Sequence, residues 1–85
     1  MQWEEVREKF PDEWVVFEAA EAYSEDGFRC IDSVTVIDRY EDSADAMKRY
    51  KELHRSQPAK EIYFIHTSRP DLKMEEKWVG FKRWR

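Results

Sequence analysis

Two short runs in this sequence carry side chains with chemical reach. The first is HTSR, His66 to Arg69, which sets an imidazole beside two hydroxyls and a guanidinium. Nucleophilic catalysis needs a hydroxyl within hydrogen-bond reach of a base, and a third group to orient that base. On a strand, His66 and Ser68 share a face about 6–7 Å apart at the backbone, a wide gap for so short a side chain as serine. No acid stands at a telling spacing to orient the ring. A second use of the run is anion binding, with Arg69 assisted by the Thr67 and Ser68 hydroxyls. The plainer reading is a strand end whose polar groups satisfy their neighbours and the turn before Pro70.

The second run is KWVGFKRWR, Lys77 to Arg85, with four cations and three aromatics. As a strand it puts Trp78, Gly80, Lys82 and Trp84 on one face and Val79, Phe81 and Arg83 on the other. The two indoles and Lys82 can stack bases or clamp a partner chain. Alternatively the run is the closing strand of a sheet, with the Trp78 ring covered and its charges discouraging edge-to-edge aggregation. The charge balance favours the closing strand. The protein carries −4 overall, and the tail holds four cations and no acids, so residues 1–76 set eleven cations against nineteen acids. An acidic body repels phosphate over about 8 Å in physiological salt. Nucleic-acid modules usually present a broad basic face instead.

No cofactor or metal is expected. Cys30 is the single cysteine, and its spacing from His54 and His66 matches no ligand pattern. Gly27 and Gly80 are too few and too distant for a phosphate loop. The paired acids, such as Glu4-Glu5 and Glu41-Asp42, point apart on a strand and do not face each other on a helix, so they read as solvated surface.

A small single domain must hold these runs in place. At 85 residues the chain needs a core dense in large side chains, and four Trp, four Tyr and five Phe supply one. No apolar run approaches the roughly 20 residues of a membrane span, and the acidic start MQWEEVREKF lacks the pattern of a signal peptide. A cytoplasmic protein with no membrane contact is the expectation.

The spacing of Trp3, Val6 and Phe10 before Pro11 predicts a short helix that needs tertiary packing. WVVFEAAEAY and FRCIDSVTVIDRY flank SEDG, and Asp26-Gly27 suits a tight hairpin turn. A two-residue turn sets Glu21 against Asp32, a clash that a bulge or a longer loop relieves. EDSADAMKRYKELHRSQP predicts a helix capped by Asp42 or Ser43, with Ala46, Met47, Tyr50, Leu53 and His54 on one stripe. KEIYFIHTS predicts a strand, apolar on both faces and therefore interior. A last strand begins as early as Leu72. The order is α-ββ-α-ββ, an α+β fold with a mostly antiparallel four-stranded sheet. The main helix crosses one face, and the short helix lies at an edge or on the other side. The expected core is Val15, Phe17, Val34, Val36, Met47 and Tyr50, with Leu53, Ile62, Phe64, Val79 and Phe81. A bulge can exchange Val34 and Val36 with Ile31 and Ile37.

The runs WEEVREKFPDEWVVFEAAEAYS, DSADAMKRYKELH and EIYFIHTSR together resemble a set of short, uncharacterised bacterial proteins of about this length. The resemblance covers most of the chain and rests on Trp3, the Phe10-Pro11 to Trp14-Val15 step, the Ala46 to His54 helix and the His66 to Arg69 strand end. A looser likeness, confined to FPDEWVV and the elements after it, is to small prokaryotic domains of unknown function. Neither implies an activity, a cofactor or a catalytic residue. The expected function is a non-enzymatic protein-interaction module that binds a protein partner or a second copy of itself. The alternative is weak single-stranded nucleic-acid binding through the C-terminal run.

Overall fold

The computed structural model describes residues 1–75. It is an α+β fold with the order α1 (Trp3–Lys9), β1 (Trp14–Glu25), β2 (Phe28–Tyr40), α2 (Ser43–Ser56), β3 (Ile62–His66) and β4 (Lys73–Glu75). The strands form one antiparallel sheet in the order β3-β1-β2-β4. The two helices cover opposite faces of it, so α1 takes the face away from the main helix.

The β1–β2 hairpin is the spine. Asp26 (φ 51°) and Gly27 (φ 79°) make the two-residue turn, and Glu25 pairs with Phe28 across it. Three irregularities follow along the ladder. At the first, Asp32 is the extra residue, so Glu21 faces Ser33 and the like-charge clash is avoided. That bulge also shifts the alternation, which brings Ile31 onto the same face as Val34 and Val36. Ile37 lies on the opposite face. The helix-prone EAAEA segment is strand here because β2 holds it in a ladder along its length, with β3 reaching only its first two residues.

Each face of the sheet has its own core. Under α1, Trp3, Val6, Val15, Phe17, Val34 and Leu72 are buried together. Under α2 the cluster is Val16, Ala46, Leu53 and Ile62, with Trp14, Tyr50 and Phe64 partly buried against it. Consecutive Val15, Val16 and Phe17 are all fully buried because both faces of β1 are covered.

Two expectations need correction. β3 is the edge strand of the described sheet rather than an interior one. Its apolar residues on both faces reflect a helix on each side of the sheet, which says nothing about lateral neighbours. Met47 is 42% exposed rather than buried, since the buried stripe of α2 centres on Ala46 and Leu53 and leaves Met47 on its flank. His54 is likewise exposed, with its ring stacked on Tyr50. Val36, Tyr50 and Phe64 are half-buried, and the last strand begins at Lys73. Val79 and Phe81 lie outside the described residues.

Candidate functional site

β3 is pinned at both ends, and its C-terminal anchor is the HTSR run. Thr67 is buried, with 3% of its surface exposed. Its hydroxyl donates to the Phe10 carbonyl at 2.8 Å and accepts from the Glu13 N–H at 3.1 Å. Its own N–H donates to the Glu13 carbonyl at 2.9 Å, and its carbonyl accepts from Arg7 Nε at 2.9 Å. One threonine thus fastens the α1–β1 corner to the end of β3. Arg69 turns the other way, donating to the Asp71 and Lys73 carbonyls at 3.0 Å each, while its carbonyl accepts from Trp3 Nε1 at 2.7 Å. Both residues are occupied as struts, and the guanidinium does not gather with the Thr67 and Ser68 hydroxyls as an anion site would require.

His66 and Ser68 do meet, and an acid joins them. Ser68 Oγ lies 2.8 Å from His66 Nδ1, and Asp12 Oδ1 lies 3.4 Å from Nε2. Asp12 comes from the α1–β1 loop at φ 57°, a left-handed conformation that Asp tolerates better than most residues. The array has the order of a nucleophile, base and acid. Its wiring suits a turn instead. The backbone N–H of Ser68 also donates to Nδ1, at 3.1 Å, so the neutral ring carries its proton on Nε2 and its one lone pair is already engaged. Asp12 is 95% exposed, where water weakens its hold on the ring. Trp14 fixes the imidazole edge-on, with ring centroids 5.2 Å apart. The open hollow beside these residues, about 560 Å³, is lined by Glu4, Arg7, Glu8, Asp12 and Ser68 among others.

The N-terminal anchor of β3 is a cross-sheet ion pair. Arg29 of β2 reaches over β1 to Glu61, donating from Nε at 2.8 Å to Oε2 and from Nη2 at 2.5 Å to Oε1. The Tyr63 hydroxyl donates to Glu61 Oε2 at 2.6 Å. The Arg29 hydrogen bonds hold the Glu61 carboxyl below its usual range. Burial, followed by the hydrogen bond to Glu61, raises the Tyr63 phenol above its ordinary value. Lys60 adds an ion pair to Glu18 of β1 at 3.7 Å.

Between these anchors the outer edge of β3 is open among the described residues. The Ala19 N–H donates to the Glu61 carbonyl and the Thr67 N–H to the Glu13 carbonyl, so odd-numbered residues of β3 bond toward β1. In an antiparallel ladder the alternate residues then point their backbone groups outward: Ile62, Phe64 and His66. The His66 carbonyl accepts from the Arg69 N–H at 3.1 Å. The other outward groups have no partner among the described residues.

Among the described residues, the flanks of β2 and β1 that no full strand covers are guarded. On β2, strand β4 covers Phe28 to Cys30, and Met1 exchanges two backbone hydrogen bonds with Val34. A bulge at Ile37 and the charges of Asp38 and Arg39 interrupt the rest. On β1 beyond the reach of β3, a bulge at Ala20 and the acids Glu21 and Glu25 play that part. The run Ile62 to His66 has no bulge, no proline and no acid or lysine. Edge strands are normally blunted by such devices, and this one is not.

One flank of α2 faces β3 across the sheet surface. Tyr50 packs on Phe64 of β3 with centroids 5.3 Å apart, whereas Arg49 faces Asp38 of β2 at 3.8 Å on the other flank. Met47 and His54, three residues before and four after Tyr50, share its flank. The exposed Met47 therefore lies on the β3 side of the helix.

Of the residues singled out from sequence, His66 and Ser68 come together, and Thr67 and Arg69 point elsewhere. Trp78, Lys82 and Trp84 lie outside the described residues, as does the covering of the Trp78 ring. Sequence reasoning missed Asp12, whose signal was the Pro11-Asp12 turn pair beside α1, and the open edge, which the uncharged IYFIH conceals because such a run reads as interior. Among the described residues no three His, Cys, Asp or Glu side chains gather as a metal site, and no helix is long and apolar enough to cross a membrane. No protein family, curated protein or solved structure matches this chain.

Proposed function

We propose that this chain is a non-enzymatic, cytoplasmic interaction module that recruits an extended protein strand to the outer edge of β3. The observation that carries the reading is the unguarded edge, with backbone groups of Ile62, Phe64 and His66 turned outward between two anchors. In strand addition the main-chain hydrogen bonds supply affinity, and side chains alternating above and below the sheet supply specificity. Anchoring at Glu61 and Thr67 fixes the edge before binding, which lowers the ordering cost of association. The Tyr50 and Met47 flank adds apolar surface on one side of the incoming strand.

Photo-crosslinking tests the reading in host cells. A photoreactive residue at Lys60, exposed beside the edge, is expected to give a discrete covalent adduct. The same residue at Lys48, on the opposite flank of α2, is expected to give none. No adduct at Lys60, or equal adducts at both positions, overturns the proposal.

A further inference from the structure

We infer that the strand added to β3 is β3 of a second copy of this chain, paired antiparallel about a two-fold axis at Phe64. This inference rests on the strand-addition reading and names its partner. Three observations support it: the positions of the outward backbone groups, the charge pattern of β3, and the exposure of Met47.

Only even-numbered residues of β3 offer outward groups. An antiparallel copy must therefore place even residues opposite even residues. Centring on Phe64 sets Phe64 against Phe64 and Ile62 against His66, which uses the full length Ile62–His66. Registers centred on Tyr63 or Ile65 shorten the overlap. In the Phe64 register no charge meets a like charge, because Glu61 falls opposite Thr67 and Lys60 opposite Ser68. The strand is self-complementary, as a two-fold interface requires.

A two-fold axis perpendicular to the sheet keeps both α2 helices on the same face. The flank carrying Met47 and Tyr50 then borders the seam in each copy, with Phe64 from both copies beneath it. The 42% exposure of Met47 and the half-buried state of Phe64 are what a surface awaiting this neighbour would show. On the other face, Tyr63 of one copy falls opposite Ile65 of the next, a pairing of an aromatic with a β-branched residue that favours a ladder.

The test separates this pairing from other associations. Chemical synthesis of the full chain, joined at Cys30, allows a single backbone N-methyl group at Phe64. That group removes an outward N–H while leaving the side chain and the β1 ladder intact. Light scattering across the micromolar range is expected to show the unmodified protein at twice 10.4 kDa. N-methylation at Phe64 is expected to weaken the dimer by about tenfold or more, with the thermal melt still that of a folded protein. Met47→Glu, at a site exposed in the single chain, is expected to weaken it in the same direction and serves as the readout if the N-methyl chain does not fold. A single-chain mass throughout the micromolar range, or a dimer indifferent to Met47→Glu or to N-methylation of a folded chain, overturns the inference. If the Lys60 crosslink gives an adduct with a different protein while this chain stays monomeric, strand addition stands and the second copy is ruled out. No adduct at Lys60 defeats strand addition itself.

Discussion

Thr67 shows how much one side chain can carry in a domain of this size. It is buried, and its hydroxyl serves both the Phe10 carbonyl and the Glu13 N–H. Thr67→Val keeps the shape and strands both partners, so it should cost about 1–3 kcal/mol in chemical denaturation, with Thr67→Ser recovering part of that. Ser68→Ala, at an exposed turn, should change stability by no more than about 0.5 kcal/mol. Glu61 makes a prediction about pH. Its carboxyl is held below the ordinary value of 4.5, chiefly by the Arg29 hydrogen bonds. A depressed carboxyl stabilises the fold above its unfolded pKa, and that contribution is lost as pH falls through the folded value. Thermal melts from pH 6 down to about pH 3 should therefore show the wild type losing stability more steeply below 4.5 than Glu61→Gln. Parallel curves would remove Glu61 from that role.

At the scale of elements, the turn and the bulge fix which side chains meet. Gly27 sits at φ +79° with open space where a Cβ would go, so Gly27→Ala meets only backbone strain and should cost about 1–2 kcal/mol. A loss below about 0.5 kcal/mol would show that the turn relaxes to another type. These elements were legible in the sequence because their causes are local. Asp26-Gly27 dictates a hairpin, Asp42 caps α2 by accepting the Ala44 N–H at 2.8 Å, and the opposition of Glu21 and Asp32 required a bulge or a longer loop, of which the fold uses the bulge. The position of β3 in the sheet was not legible. Hydrophobic alternation reports what lies above and below a strand, and two helices covered Ile62 and Tyr63 alike from opposite faces. Lateral neighbours are set by backbone bonds, which leave no mark on composition. The same blindness hid Asp12 from His66, since 54 positions separate them and a left-handed loop residue brings them together.

For the whole molecule, the order in which the contacts form follows from where their residues lie. The β1–β2 ladder closes around two residues, whereas Trp3 donates to a carbonyl 66 positions away and Glu13 to a hydroxyl 54 positions away. Contacts of such separation slow folding toward the millisecond-to-second range typical of β-rich domains. Stopped-flow kinetics should divide the molecule accordingly. Gly27→Ala should slow refolding, because the hairpin forms early, while Ile62→Val should mainly hasten unfolding. The reverse pattern would place β3 in the folding nucleus. The central strand β1 is thus made before β3 and waits for partners encoded 44 to 52 residues later. Until Ile62 to His66 are made, the place beside Trp14 to Glu18 is unfilled, and it has the shape that β3 of another copy would fit.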